Sequence, residues 1–316
     1  MSITPLKPFF SYFGSKYRIA PHYDAPRCSE IVEPFAGGAG YSCRYHDHQI
    51  SLYDTNPAIY EIWNFLIHEA DEGYIRSIPD TVNEVDKDLD NFPLAVKYLV
   101  GFWLAKGSAT PRKTIGEGWN KKWTAMGYKW FWGSYVKERI IKQLPYIKHW
   151  TISNADYSTA ENRDATWFID PPYEGSCGQS YKEKNLDYAK LSEWCRSRKG
   201  QVIVCENDEA RWMDFIPLVN AATITGQMKD GKRSRKGHSL ECVWTNLPKT
   251  EDTMGRPKGS KNRVKEGVEL ITPEVSTPAP DAPIDILLPI KLRLEEVEKD
   301  RKLLYKIHSL LQEYLF

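Results

Sequence analysis

The stretch Thr166-Trp167-Phe168-Ile169-Asp170-Pro171-Pro172-Tyr173 limits the folds open to this chain more than any other. Trp167, Phe168 and Ile169 are the β-branched and aromatic run of a strand buried on both faces. Two successive prolines then forbid continuation as helix or as ladder. An acid and an aromatic ring are thereby fixed just past the carboxyl end of a strand, the edge at which open α/β sheets bind their ligands. A proline-stiffened turn after a core strand has the same local pattern, so the rest of the chain must decide what the acid does.

A similar unit lies upstream. Residues 30–35 read as a short strand, and Ala36-Gly37-Gly38-Ala39-Gly40 as a loop into a helix through Tyr41, Ser42 and Cys43. Glycines at the first strand of a nucleotide-binding sheet let the backbone approach a ligand closely. A dinucleotide site is therefore a rival reading, although the spacing is not G-x-G-x-x-G. Residues 49–54 predict a second strand ending in Asp54, a little under the usual ~20 residues past the glycine loop, where an acid can accept both ribose hydroxyls. Asn56 then supplies an N-cap and Pro57 the first helical position, and Ile59, Ile62, Trp63, Leu66 and Ile67 keep a helical rhythm. Further strands are expected over 150–156 and 201–207, a helix around Tyr188, Leu191 and Cys195, and a terminal hairpin from 221–228 and 240–245.

Net charge is only +1, but the charge is unevenly placed. Residues 69–90 are acidic and read as a solvated connection. Residues 97–148 carry eleven lysines and arginines, among them Lys106, Arg112, Lys113, Lys121 and Lys122, against only Glu117 and Glu138. Trp103, Trp119, Trp123, Trp130 and Trp132 are interleaved with these cations. The pattern suits a surface for the phosphates of a nucleic acid, and it suits equally a helical subdomain with an aromatic core and solvated lysines. The hairpin tip adds Arg233 and Arg235, with the same two readings. Six cysteines without a C-x-x-C pair fit neither a zinc ribbon nor a disulfide framework, and no run reaches membrane-spanning length. A reduced, cytoplasmic setting is expected.

Asp170-Pro171-Pro172-Tyr173 resembles the catalytic tetrapeptide of the amino-methyltransferases, which methylate exocyclic amines of DNA bases. Phe10 to Lys16 is similar to that family's F-x-x-x-G-x-K segment, which closes over the methionine end of S-adenosylmethionine with Tyr12 packing over the site. Glu33-Pro34-Phe35-Ala36-Gly37-Gly38 resembles its D/E-P-F-x-G-x-G cofactor loop, except that the last glycine is Ala39 here and Gly40 is displaced by one. The order of these motifs across residues 9–246 is that of the Dam-like N6-adenine DNA methyltransferases. The resemblance implies a Rossmann-like, mostly parallel α/β sheet with an antiparallel terminal hairpin, in which residues 1–68 and 149–248 form the catalytic domain. Residues 69–148 are then a mainly helical target-recognition insertion.

It also implies S-adenosylmethionine as cofactor, held by Tyr12, Lys16, Glu33, Phe35, Gly37, Gly38, Asp54 and Asp156. Asp170, Pro171, Pro172 and Tyr173 act on a flipped-out adenine, double-stranded DNA is the partner, and no metal is needed. An N4-cytosine enzyme, or a non-catalytic DNA-binding protein on a degenerate methylase fold, are the rival readings. The role is open between restriction-linked, regulatory and viral protection. Outside the resemblance, residues 249–285 read as a proline-rich linker. Within it Gly255-Arg256-Pro257 resembles an AT-hook, whose arginine enters the minor groove of A/T-rich DNA. Residues 286–316 are expected to form a helix, with Ile290, Leu294, Val297, Leu304 and Leu311 available for docking or self-association.

Overall fold

A computed structural model of the chain describes residues 4–104, 107–115, 131–174, 186–222, 228–229, 232–233 and 238–247. All of these lie in one compact unit that ends at Gly255. Lys106, Lys121, Lys122, Arg235, the AT-hook-like Arg256, the linker and the C-terminal helix lie outside the described residues, and Arg233 is described by its backbone alone.

The frame is a seven-stranded sheet in the order β3-β2-β1-β4-β5-β9-β6. Its members are β1 (Glu30–Glu33), β2 (Gln49–Tyr53), β3 (Thr151–Ser153), β4 (Ala165–Ile169), β5 (Gly200–Asn207), β6 (Ile216–Ala222) and β9 (His238–Thr245). Between the last two, β7 (Met228–Lys229) and β8 (Lys232–Arg233) pair as a separate small hairpin. β3, β2, β1, β4 and β5 run parallel, while β9 is antiparallel to both β5 and β6. The chain is thus α/β with a mostly parallel sheet and an antiparallel terminal pair, compatible with a Rossmann-like fold. The antiparallel pair starts earlier than the alternation suggests, at Ile216.

Strand β4 is buried at all five positions, as a central parallel strand must be. Side chains alternate between two cores. Ile31, Phe168, Ile203 and Val243 face one, together with Tyr41, Ile59, Ile62 and Trp63. Val32, Trp167, Ile169, Val202 and Val204 face the other, beneath Leu191 and Cys195. The helices on the first face include α1 (Gly40–Arg44) and α2 (Pro57–Asn64); the second carries the last of the described helices, Tyr188–Arg196. Asn56 caps α2, its side chain accepting from the Ala58 N–H at 3.0 Å. The apolar rhythm continues past α2 as a π-helical turn over Phe65–Glu69, where Leu66 and Ile67 stay buried.

Residues 69–90 are not the solvated connection their acidity suggests. They form α3 (Glu72–Ser77) and α4 (Val85–Asp88), and Ile75, Ile78 and Leu89 are fully buried. Their acids are spent on local structure. Asp71 caps α3 by accepting from the Tyr74 N–H, and Asp88 accepts from the N–H groups of Asn83 and Glu84. Next come α5 (Leu94–Trp103) and α6 (Ser134–Gln143); Tyr188–Arg196 is α7. The described apolar side chains of 69–148, including Leu99, Phe102, Val136 and Ile140, join the same core as Ile31 and Phe168.

Among the seven described cations in 97–148, three bind the backbone at helix ends and loops. The Lys137 ammonium donates to the carbonyls of Arg76 and Ile78 and pairs with Asp80 at 2.7 Å. Lys148 donates to the carbonyls of Leu66, Ile67 and Ala70 at 2.6–3.0 Å, closing the end of the π-helical turn. Arg139 donates to the Pro8 carbonyl and lies over the Trp103 ring. These three hold helix ends and loops together, so their charged groups are already engaged by backbone carbonyls and, for Lys137, by Asp80. Lys113 is exposed but paired with Asp86 at 2.8 Å, and Arg112 is exposed.

Candidate active site

The strand order reverses between β1 and β4: from β1 the chain steps outward to β2 and β3, then returns to β4 on the other side of β1. Ligands bind in doubly wound sheets in the crevice outside the strand carboxyl ends at this switch point. A cavity of about 560 Å³ lies there. That is within the range of ~300–1,000 Å³ usual for small-molecule sites. Tyr12, Lys16, Glu33, Phe35, Gly37, Gly38, Asp54, Asp156, Asp170 and Pro172 all line it. Pro171 is buried and does not line it, and neither does Tyr173.

The glycine loop is shaped by contacts on its far side. Gly37 adopts φ +43°, its N–H donates to Asp54 Oδ2 at 2.9 Å, and its carbonyl accepts from the Trp63 indole at 2.9 Å. Asp54 Oδ1 accepts from the Asn56 N–H at 2.9 Å, so one carboxylate at the end of β2 ties the β1 loop to the start of α2. The displaced glycine also has a local cause. Ala39 takes the left-handed conformation, φ 46° and ψ 47°. A Cβ on Gly40 would lie 2.4 Å from the Tyr17 backbone nitrogen, so no other residue fits beside that segment.

Glu33, at the end of β1, is 2% exposed and accepts from the Ser42 N–H at 2.7 Å. Burial pushes its carboxyl up to about 8 against the opposing pull of the Ser42 hydrogen bonds. It therefore anchors the start of α1 in surroundings that favour its neutral form. Asp156 caps the 3₁₀ turn Tyr157–Thr159, accepting from the Ser158 N–H and hydroxyl. Tyr157 stacks on Phe35 with ring centroids 5.4 Å apart, and both line the cavity. This aromatic wall was not foreseen, because nothing in the sequence marks residues 35 and 157 as neighbours.

At the β4 end the side chains converge on a buried cation. Lys16, 6% exposed, places its ammonium 2.6 Å from Asp170 Oδ1, 3.8 Å from Glu241 Oε1 and 4.6 Å from the Tyr173 ring centroid. It also donates to the Gly14 carbonyl. Lys16 thus pairs with the acid of the tetrapeptide. Burial pushes the Asp170 carboxyl up to about 6, with Lys16 holding it down and Glu241 adding to the rise. The hydroxyls of Tyr23 and Tyr173 both donate to Glu241 Oε1. Burial raises the Tyr173 phenol well above its ordinary value, so it stays a donor. Next to the tetrapeptide, Glu206 at the end of β5 accepts from the Glu174 N–H at 2.7 Å, and Tyr188 donates to the Pro172 carbonyl at 2.8 Å.

The site therefore combines a glycine loop tied down by an acid, an aromatic wall, and a half-buried carboxylate paired with a buried lysine. Among the described residues no group of His, Cys, Asp and Glu is arranged to hold a metal ion. No described helix is long and apolar enough to cross a membrane. Neither the models of known protein families nor the curated protein sequences yield a match to the chain.

Proposed function

We propose that the protein is a site-specific DNA methyltransferase that moves a methyl group from S-adenosylmethionine to the exocyclic N6 amine of an adenine flipped out of duplex DNA. The observation that carries this reading is the single cavity in which the glycine loop of β1, Asp54 at the end of β2 and Asp170 at the end of β4 meet. The residues present suit the cofactor. Asp54 is held by two backbone N–H groups with its carboxylate at the cavity wall, where a ribose diol would be bound. The Phe35–Tyr157 pair offers a flat apolar face to a purine, and carboxylates at the Asp170 end suit a sulfonium. When bound, S-adenosylmethionine supplies an electrophilic methyl group.

The protein's share of the chemistry falls on the tetrapeptide. An exocyclic adenine amine is a poor nucleophile because its lone pair is delocalised into the ring. If Asp170 and the Pro171 carbonyl accept its two hydrogens, the nitrogen pyramidalises and the lone pair is aimed for in-line attack. Extrusion of the base from the duplex must come first, and Tyr173 gives it a ring to stack on. Arg112, Lys113 and the basic residues Lys106, Lys121, Lys122, Arg233, Arg235 and Arg256 are the proposed phosphate and groove contacts. The C-terminal helix is proposed for self-association.

Calorimetry with S-adenosylmethionine, followed by digestion of treated DNA to nucleosides, tests the reading. N6-methyladenine is the expected product. N4-methylcytosine would transfer the same mechanism to the other base, and no cofactor binding would leave a DNA-binding protein on a methylase-like fold.

A further inference from the structure

Glu241 belongs to none of the motifs, yet it is the hub of the β4 end. It sits on the core-facing side of β9, two residues from buried Val243, and is 4% exposed. A carboxylate on the core face of a strand is costly unless it is fully partnered. Here one oxygen collects the hydroxyl of Tyr23 at 2.5 Å and that of Tyr173, and stands 3.8 Å from the Lys16 ammonium. Lys16 is thus bracketed by two carboxylates, with Asp170 the nearer at 2.6 Å.

In the reaction proposed above Asp170 must turn toward an incoming amine, which weakens its hold on Lys16. A buried ammonium left alone would oppose that move. We infer that Glu241 is a positioning residue: it fixes the Tyr173 ring through its hydroxyl and shares the charge of Lys16, so that Asp170 can engage an amine without stranding a buried cation. The inference rests on the proposed amine chemistry for its purpose, though its geometry does not. The groups facing Asp170 are Lys16 from the turn after Gly14, Glu33 from β1, Cys205 from β5, Tyr23, Tyr173 and Glu241 itself. Among these Glu241 raises the Asp170 carboxyl and Lys16 lowers it.

Glu241→Gln keeps the shape and removes the charge. It is expected to lower kcat at least tenfold and leave the S-adenosylmethionine Kd within twofold. The acid limb of the kcat/KM profile and the titration midpoint of the Asp170 carboxyl carbon, followed by 13C NMR in the free protein, should both move to lower pH. Loosened packing that let water reach Asp170 would lower the midpoints too, so the shift is read in a Glu241→Gln variant whose melting temperature and near-UV circular dichroism match wild type. An unchanged Asp170 midpoint in folded Glu241→Gln overturns the inference. That reading does not depend on which substrate the enzyme uses, so wild-type inactivity toward DNA would sink the proposed function and leave this test standing. Should Glu241→Gln fail to fold, Tyr23→Phe removes one donor to Glu241 from a position that does not line the cavity. Turnover at least threefold lower with unchanged cofactor affinity supports the inference; wild-type turnover overturns it.

Discussion

The two ends of the cavity are built by different means. At the β1–β2 end the shape comes from backbone: the Gly37 N–H on Asp54, the left-handed Ala39, and a Gly40 that admits no Cβ. At the β4–β9 end it comes from charged side chains, Lys16 and Asp170, backed by Glu241, Tyr23 and Tyr173 in a shared network of hydrogen bonds and ion pairs. A backbone cradle resists substitution sterically. A buried charge cluster tolerates shape changes better but responds to every proton. Binding and turnover should therefore fail independently.

The largest separation is expected for Asp170→Asn. Loss of the ionised acceptor should reduce methyl transfer by about 100-fold or more, ~3 kcal/mol in the transition state, with cofactor affinity nearly intact. Burial holds the Asp170 carboxyl at about 6, and the ionised form is the one that accepts from an amine. Wild-type kcat/KM should accordingly fall as pH drops through that value, and rates measured from pH 5 to 8 check it. Gly40→Ala strikes the cradle first and reaches the charge cluster only through the Lys16–Tyr17 backbone. Its Cβ would be driven to 2.4 Å from the Tyr17 nitrogen. Overpacking of this kind costs about 1–3 kcal/mol or more. Cofactor binding should be lost to calorimetry and the melting temperature lowered; normal affinity would mean the cradle is not needed.

Glu33→Gln sharpens the comparison through stability. The carboxyl of Glu33 is raised from an ordinary 4.5 to about 8. Its contribution is therefore fully present below pH 4.5 and lost as pH rises through 8. A neutral Gln escapes that loss, so the variant should be more stable than wild type at pH 8 and above, by on the order of 5 kcal/mol, with the gain vanishing near pH 4. Asp54→Ala should weaken S-adenosylmethionine about tenfold, ~1.4 kcal/mol, while the Asp170 pH limb stays in place. The smallest effect is expected for Arg112→Ala, at an exposed side chain. Duplex affinity should fall a few-fold and the salt slope should flatten by about one; an unchanged slope would remove Arg112 from the DNA surface.

What was legible in the sequence follows the same division. The β1 loop, Asp54, the capped helix from Pro57 and the buried strand before Asp170 are local patterns, and each falls where its pattern put it. Glu241 was not legible, because what makes it matter is a hydrogen bond from Tyr23 across 218 residues of chain. Tyr157 was hidden likewise. Charge density misled in both directions. The acids of 69–90 masked Ile75, Ile78, Val82, Val85 and Leu89, an apolar rhythm that Pro79 interrupts, while the lysines of 97–148 included Lys137 and Lys148, whose ammonium groups close helix ends. Counting charges does not tell a side chain that meets solvent from one that meets a carbonyl.

Ala39 and Gly40 impose an order on what the loop can become. Two adjacent positions ask for glycine on different grounds, one by its dihedral angles and one by the space beside it. The chain supplies a single glycine at the pair and gives it to the crowded position. A left-handed alanine costs roughly 1–2 kcal/mol, which the fold can absorb. A collision with backbone leaves no such option. The loop can therefore drift at residue 39 among the small residues, while residue 40 is closed to change until the Lys16–Tyr17 segment itself moves. Any remodelling of the cofactor end must thus begin with the segment that also carries the cation of the other end.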